Sequence, residues 1–330
     1  MNCAVMGAGA WGTALASLLA DNGHDVTIWC LEPDVADSIN TSAQNPRFLP
    51  GAALHPSLRA THDKGASLVG AELVLLAAPS HALRDVVAHA RGFVPAGATA
   101  VVATKGIERH SFALMTDVVA QELPGHAVVA LSGPSFAVEV ANKLPTAVVA
   151  ASHQADAASL VQQAFSAKYF RVYSTEDVTG VELGGALKNV MAVAAGMSDG
   201  LGLGLNTRAA LITRGLAEMM RLGLAMGAMP QTFAGLAGIG DLVLTCTGSL
   251  SRNHQVGLEI GQGATLAEVL AGRESVAEGV VTTESARELA ASKGVEMPIV
   301  NAVHRVLFEQ QPVREALGGL MSRELRGERD

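Results

Sequence analysis

The sequence predicts a doubly wound parallel α/β sheet in its first half and an all-α domain after it, and three observations carry that prediction. A strand-length apolar run, Cys3-Ala4-Val5-Met6, opens into Gly7-Ala8-Gly9-Ala10-Trp11-Gly12 and then into apolar residues at helical spacing through Ala20. Further apolar strands alternate with amphipathic helices as far as Tyr173. From Ser174 onward the strand pattern stops and helical periodicity alone remains.

The three glycines stand at i, i+2 and i+5 between a strand and a helix, the spacing of a dinucleotide-binding turn. Gly7 serves the sharp turn, Gly9 lets backbone approach a pyrophosphate, and Gly12 lets the helix pack on the strand. Amides of the first helical turn then face an anion with the helix dipole behind them. Asp25-Val26-Thr27-Ile28-Trp29 supplies a second strand. Glu32 follows Gly12 by 20 residues, where a ribose-binding carboxylate is expected. This is a Rossmann-type arrangement.

A helical stretch then runs from Glu32-Pro33-Asp34 through Ile39, followed by an irregular loop containing Asn45-Pro46-Arg47-Phe48-Leu49-Pro50-Gly51. Glu72 to Ala78 reads as a strand buried on both faces, ending in Pro79-Ser80, with a helix from His81 to Ala90. Thr99 to Ala103 is the next strand, ending in Thr104-Lys105-Gly106. Helix Ser111 to Leu123 leads to strand Ala127 to Leu131, which ends in Ser132-Gly133-Pro134-Ser135-Phe136-Ala137. Thr146 to Ala151 and Tyr169 to Tyr173 complete a parallel sheet covered on both faces. Ligands of such sheets bind outside the carboxyl ends of the strands, and Gly7 to Gly12, Glu32, Pro79-Ser80, Lys105 and Ser135 all fall there.

Ser174-Thr175-Glu176-Asp177 reads as a helix start with an acid three residues on. Helices are predicted over 175–197, 207–227, 231–238, 252–261, 264–272, 282–293 and 298–308. The domains are therefore 1–175, a dinucleotide-binding domain, and 176–330, an all-helical substrate and catalytic domain. The charged tail after Arg323 is expected to fray.

With 330 residues, 49% of them hydrophobic, both domains can bury cores. Aromatics are only 4% and the formal charge is −8, which speaks against stacking platforms and against nucleic acid as a partner. Cys3, Cys30 and Cys246 have no metal-ligand spacing and read as reduced apolar fillers; no metal site is expected. Met1-Asn2 runs straight into the first strand without a basic leader, and the apolar segment 209–229 carries Arg214, Glu218 and Arg221, so no membrane span is expected. A cytoplasmic protein is expected, and the apolar second domain points to a homodimer.

Three clusters in the second half carry chemistry. Lys188 follows Gly184-Gly185 by one turn and precedes Met191 and Ala192 by another, so it projects from a helix face with little bulk beside it. Two mid-helix glycines cost about 1 kcal/mol each relative to alanine, which points to a ligand or another backbone close by. Local features alone leave two readings: a functional ammonium, or a surface lysine beside a packing site. Asp241 lies in the apolar run Gly240-Asp241-Leu242-Val243-Leu244-Thr245 and is costly to bury without a cation, for which Lys188 is the candidate. Ser251-Arg252-Asn253 at a helix N-terminus combines hydroxyl, guanidinium and amide groups; it is either a phosphate site or an ordinary capping segment.

Gly7-Ala8-Gly9-Ala10-Trp11-Gly12, Pro79-Ser80, Thr104-Lys105-Gly106, Ser132 to Ala137, Gly184 to Asn189, Gly240-Asp241-Leu242, Ser251-Arg252-Asn253 and Glu278-Gly279 together resemble NAD(P)-dependent glycerol-3-phosphate dehydrogenase of the bacterial type, in order and spacing, over nearly the whole chain. The resemblance implies reversible hydride transfer between NAD(P)H and dihydroxyacetone phosphate, giving sn-glycerol 3-phosphate for glycerophospholipid synthesis. It implies Lys188 as general acid/base. Lys105 holds the substrate oxygen by the same analogy, with Asn189, Asp241 and Thr245 fixing the geometry. Implied substrate contacts are Lys105, Gly133, Ser135, Lys188, Asp241, Ser251, Arg252 and Asn253. Implied cofactor contacts are Gly7, Gly9, Ala10, Trp11, Gly12, Leu31, Glu32, Phe48, Lys105, Ala137, Arg252, Val276 and Glu278. Leu31 stands where many members carry Arg or His suited to a 2′-phosphate, and Glu32 repels such a phosphate while accepting from a ribose hydroxyl. NADH is therefore expected to serve as well as NADPH or better, with Arg47 a compensating cation nearby.

Two competing readings make different demands. Another dehydrogenase with a helical second domain, of hydroxyacyl-CoA or ketopantoate type, is one; a hydroxyacyl-CoA enzyme calls for a His-Glu pair, and the corresponding residue here is Lys188. A non-catalytic dinucleotide sensor calls for a basic recognition element and has no use for Lys188 or Asp241.

Overall fold

The computed structural model describes residues 1–271, 277–322, 324 and 327. They form two compact units, Met1–Gly185 with Ala228–Asp241, and Ala186–Gly227 with the residues from Leu242 onward. Residues 228–241 thus return to the first unit, which a single division at 175 does not express. Val276 and most of the charged tail after Arg323 lie outside the described residues.

The first unit is built on strands β1 (Asn2–Met6), β2 (Asp25–Trp29), β3 (Arg59–Thr61), β4 (Leu73–Leu76), β5 (Thr99–Val102), β6 (Val128–Ser132), β7 (Thr146–Ala151) and β8 (Phe170–Thr175). Their spatial order is β3-β2-β1-β4-β5-β6-β7-β8. The chain reverses direction across the sheet at β1, between β2 and β4, the switch point where an open sheet binds ligands. Alternate residues of the central strands feed two apolar layers. Val5, Leu75 and Val101 pack on one face with Leu15, Leu19 and Phe165, while Met6, Leu76 and Val102 pack on the other with Met115 and Val119. This two-sided burial explains why the strands read as continuous apolar runs.

Three local readings are corrected. β7 pairs antiparallel with β6, not parallel, because the connection between them contains only the short helix Ala137–Ala141 and turns back instead of crossing over. β3 is a three-residue edge strand with no apolar run to announce it. The helix expected from Ser111 begins at Met115, since His110 and Phe112 adopt left-handed φ values of 70° and 58° that no helix accommodates.

In the second unit the helix Val178–Gly200, which starts in the first unit, crosses the helix Arg252–Gly261 at backbone distance. A methyl added at Gly196 would meet the His254 carbonyl oxygen at 2.0 Å, and one at Gly257 would meet the Val193 carbonyl oxygen at 2.0 Å. Gly200 against Leu258 and Gly261 against Met197 repeat the contact one turn on, each at 2.4 Å. Buried Glu218 caps the helix Pro298–Phe308, accepting from the amides of Ile299 at 2.7 Å and Val300 at 3.3 Å. All three cysteines are buried, and burial pushes the Cys3 and Cys30 thiols up to about 12, which leaves them as inert filler. Among the described residues no single helix is long and apolar enough to cross a membrane, and no group of His, Cys, Asp and Glu is placed to hold a metal ion.

Glu182 gives the first unit a pH signature. Its carboxyl is buried and accepts from the Thr116 amide at 2.9 Å, with the Thr116 hydroxyl 2.5 Å away. Burial raises its pKa from 4.5 to about 7, opposed by the Thr116 hydrogen bonds. The native state therefore holds a proton that the unfolded chain releases near 4.5. Stability from this group is full below about 4.5 and declines as pH rises to about 7, by a total of about 3 kcal/mol. Glu182→Gln keeps an acceptor for the amide and a donor for the hydroxyl, so the variant is expected to gain stability relative to the parent between pH 5 and pH 8. Chemical denaturation at the two pH values measures this; a pH-independent difference contradicts it.

Candidate functional site

Both units hold residues that the sequence singles out. In the first unit β1 ends at Met6 and the chain turns through Gly7, whose φ is +118° and whose missing Cβ leaves 3.1 Å to the Ala77 carbonyl. Gly12 touches the Gly7 carbonyl oxygen so closely that a Cβ would sit 2.0 Å from it. At Gly9, the cap of helix Ala10–Asp21, a Cβ would find nothing within 4 Å. The three glycines thus divide the work as their spacing predicts: turn, open approach, and helix packed on strand. The Trp11 indole nitrogen, on the first turn of that helix, is buried and has no hydrogen-bond partner. A pyrophosphate over Gly9 at a helix N-terminus fits this cradle.

Leu31 is 71% exposed directly after β2, and Glu32 follows it as the cap residue of helix Pro33–Ser42. Arg47 lies 5.2 Å above the Phe48 ring and 3.9 Å from the Asp34 carboxylate. The remaining loops leave the same sheet edge, at the carboxyl ends of β4, β5 and β6. Thr104 ties two of them together by donating to the Ala78 carbonyl at 2.7 Å. Lys105, 17% exposed in its side chain, donates to the Asp241 carboxylate at 2.6 Å and to the Gly133 carbonyl at 3.2 Å. Ser135 donates to the same carbonyl at 3.0 Å. Asp241 is completely buried, as its apolar surroundings in sequence require of a paired acid. Lys105 meets it in this unit, a residue 136 positions away that no local pattern links to it.

The glycines ahead of Lys188 are explained by close approach. A Cβ at Gly184 would lie 2.3 Å from the Ala237 carbonyl oxygen, and one at Gly185 would lie 2.7 Å from the Ser132 hydroxyl. That hydroxyl is buried with no hydrogen-bond partner, and it lines a small cavity with Lys105, Thr104 and Glu182.

In the second unit Lys188 is buried, which removes the reading of a surface lysine. Its ammonium donates to the Thr245 hydroxyl at 2.8 Å. One residue on, the Asn189 side-chain oxygen accepts from the Asn253 amide at 2.9 Å, and the Asn253 oxygen accepts from the Gly279 backbone at 2.9 Å. Gly279 sits so close to Asn189 that a Cβ would be 2.5 Å from its carbonyl oxygen. Ser251 caps the helix Arg252–Gly261 by accepting from the His254 amide at 3.2 Å, while Arg252 is exposed at its first turn. Capping and anion binding are compatible there, since the cap uses one amide and leaves the end of the helix positive. Ala137 and Glu278 each open a helix, Ala137–Ala141 and Glu278–Ser292.

The sequence does not single out Glu182 or Asp199, and it offers Ser132 only within the run Ser132 to Ala137 and Asp177 only as an acid in a helix start. Asp199 accepts from Arg208 at 3.0 Å and faces the His254 ring at 2.7 Å. The signal that singled out Asp241, an acid among apolar neighbours, is equally present in Val181-Glu182-Leu183. Asp177 turns out to be the capping acceptor itself, because β8 continues through Thr175 and the helix starts only at Val178.

The family model for the NAD-dependent glycerol-3-phosphate dehydrogenase N-terminus matches residues 2–158, and the model for its C-terminus matches residues 177–318. Glycerol-3-phosphate dehydrogenase [NAD(P)+] of Geobacter sp. (strain M21) is 54% identical over 328 residues, covering 98% of both chains. The enzyme of the same name from Syntrophotalea carbinolica is 51% identical over 333 residues, covering 100% of both. Among solved structures, glycerol-3-phosphate dehydrogenase from Coxiella burnetii superposes with a TM-score of 0.94 at 41% identity, covering 98% of this chain and 99% of that one. A ketopantoate reductase from Ralstonia eutropha shares the fold alone, with a TM-score of 0.59 at 17% identity over 97% of this chain and 100% of that one.

Proposed function

The chain belongs to the NAD-dependent glycerol-3-phosphate dehydrogenase family, and on that basis we propose how its own residues carry NAD(P)-dependent interconversion of dihydroxyacetone phosphate and glycerol 3-phosphate. When bound, the dinucleotide supplies or accepts the hydride. Lys188 gives its proton to the carbonyl oxygen as that oxygen becomes a hydroxyl, and takes it back in the reverse direction. Thr245, 2.8 Å from its ammonium, aims it. Lys105, fixed by Asp241 and the Gly133 carbonyl, stabilises the negative charge that develops on the oxygen. Ser251, Arg252 and Asn253 take the phosphate at their helix N-terminus, with Asn189 setting the Asn253 amide. Gly133 and Ser135 line the substrate side of the first unit, and Ala137 and Glu278 complete the cofactor contacts. The observation that carries this reading is a buried lysine with a hydroxyl partner on a helix whose neighbouring positions are kept bare of side chain.

NADH serves as well as NADPH or better in this reading, because the residue that would pair a 2′-phosphate is an exposed leucine followed by a carboxylate. Parallel initial rates of dihydroxyacetone phosphate reduction test function and preference together. The expected kcat/KM with NADH equals or exceeds that with NADPH, and Leu31→Arg raises the NADPH value by about tenfold by adding one charge-assisted phosphate contact. A tenfold preference of the parent for NADPH would overturn the assignment of Leu31 and Glu32. A cytoplasmic homodimer feeding glycerophospholipid synthesis completes the reading.

A further inference from the structure

Residues 228–241 leave the first unit's contiguous sequence by more than forty positions and return to it carrying Asp241 at their last position. Something must fix the register of that returning strap, since the Lys105 to Asp241 bond of 2.6 Å tolerates little play. The strap itself is poorly suited to holding its own shape. It contains Gly235, Gly238 and Gly240, and Gly238 adopts a non-helical φ of −95° and ψ of −106° within the turn Leu236–Gly240.

Its anchorage is concentrated on one carboxylate. Asp177, buried at the start of helix Val178–Gly200, accepts from the Gly180 amide at 2.9 Å through one oxygen. Through the other it accepts from the Met229 amide at 2.9 Å and from the Thr232 hydroxyl at 2.5 Å. The first bond caps the helix; the other two clamp the beginning of the strap. Gly180 keeps the place clear, since a Cβ there would lie 2.2 Å from the Asp177 carboxylate and 3.0 Å from the Thr232 methyl. Past the clamp, Ala237 packs with Val178 and Val181 on the same helix, and its carbonyl rests against Gly184. The strap is therefore pinned at Met229 and Thr232, seated at Ala237, and delivers Asp241 four residues later.

We propose that Asp177 is a positioning residue for the reaction: by clamping Met229 and Thr232 it sets the register of residues 228–241 and so holds Asp241 on Lys105. The role of Lys105 in the reaction rests on the proposed function, but the clamp itself does not. The Asp177 carboxylate bonds to Gly180, Met229 and Thr232, and it acts on Asp241 through the strap. An uncharged amide cannot replace it, because Asn presents one acceptor oxygen where the two Asp177 oxygens serve three donors, so either the helix cap or the clamp must fail.

Thr232 gives the sharper test, since Thr232→Val removes one clamp bond without touching the helix cap or the hydrophobic volume. The full-length chain is used, with three readouts. First, kcat for dihydroxyacetone phosphate reduction is expected to fall about fivefold in Thr232→Val, with the NADH dissociation constant unchanged, and to recover in Thr232→Ser. Second, in an Asp241→Asn background Thr232→Val is expected to cost less than about twofold further, because both act through one bond. Third, acetylation of Lys105 by acetic anhydride, followed by peptide mass spectrometry, is expected to accelerate in Thr232→Val and not in Thr232→Ser. The third readout needs no turnover, so an inactive parent enzyme defeats the functional reading while leaving the clamp testable. Parental Lys105 reactivity and kcat in Thr232→Val, or a full multiplicative loss in the Asp241→Asn background, would overturn the proposal.

Discussion

Lys188→Ala is expected to lower kcat for dihydroxyacetone phosphate reduction by at least about 10³-fold while the NADH dissociation constant stays within about twofold of the parent. The glycine turn proposed for the dinucleotide belongs to the first unit, and Lys188 to the second. The lysine is buried against Thr245, so its loss leaves a hole as well as a missing proton. Lys188→Met fills the hole and separates the two effects: it should restore the melting temperature and not the rate. Lys188→Arg keeps the charge but holds its proton far too tightly to deliver it, and is expected to be nearly as slow as alanine. Fluorescence titration with NADH and steady-state rates check all three. An arginine variant within tenfold of the parent would mean that Lys188 supplies charge and that the proton comes from elsewhere.

Gly196→Val is expected to destabilise the second unit by about 3 kcal/mol or more, since overpacking at a backbone contact cannot be relieved by a rotamer change. The Cβ alone would lie 2.0 Å from the His254 carbonyl oxygen and 2.7 Å from the Leu258 amide. Relief requires the helices Val178–Gly200 and Arg252–Gly261 to separate, which moves Lys188 and Asn189 away from Asn253 and Ser251. Activity should therefore fall more steeply than the melting temperature, with KM for dihydroxyacetone phosphate raised. Gly202→Ala is the control: its Cβ would meet nothing within 4 Å, so any cost comes from its φ of +72° alone. Thermal melts and substrate titrations on both variants measure the difference. A Gly196→Val protein with parental KM would show that the crossing does not set the substrate geometry.

What the sequence made legible follows from how local each cause is. Gly7, Gly9 and Gly12 could be assigned separate tasks because turn, approach and packing are fixed within six residues of chain; the structure shows the turn at Gly7, the close packing at Gly12 and open space at Gly9. The continuous apolar runs of β4 and β5 announced a sheet covered on both faces for the same reason. Gly184 and Gly185 announced a close approach, though not whose: the Ala237 carbonyl and the Ser132 hydroxyl come from distant parts of the chain. Asp241 illustrates the limit most clearly. Its cost of burial was legible, whereas its pairing with Lys105 depends on a strap that returns from the second unit, and no sequence period encodes that return. The direction of β7 was lost because a strand's apolar pattern is the same read either way. The family resemblance supplied the residue roles that local physics left open.

Whether this chain reduces dihydroxyacetone phosphate with Lys188 as proton donor is decided by the initial rate of NADH oxidation in the presence of dihydroxyacetone phosphate. The full-length parent and Lys188→Met are measured side by side at saturating NADH. Steady turnover by the parent is expected, with a loss of at least about 10³-fold in a variant that still folds and binds NADH. A parent that binds NADH yet leaves dihydroxyacetone phosphate unreduced, or a methionine variant that turns it over at the parental rate, would contradict both the assigned reaction and the role of Lys188 in it.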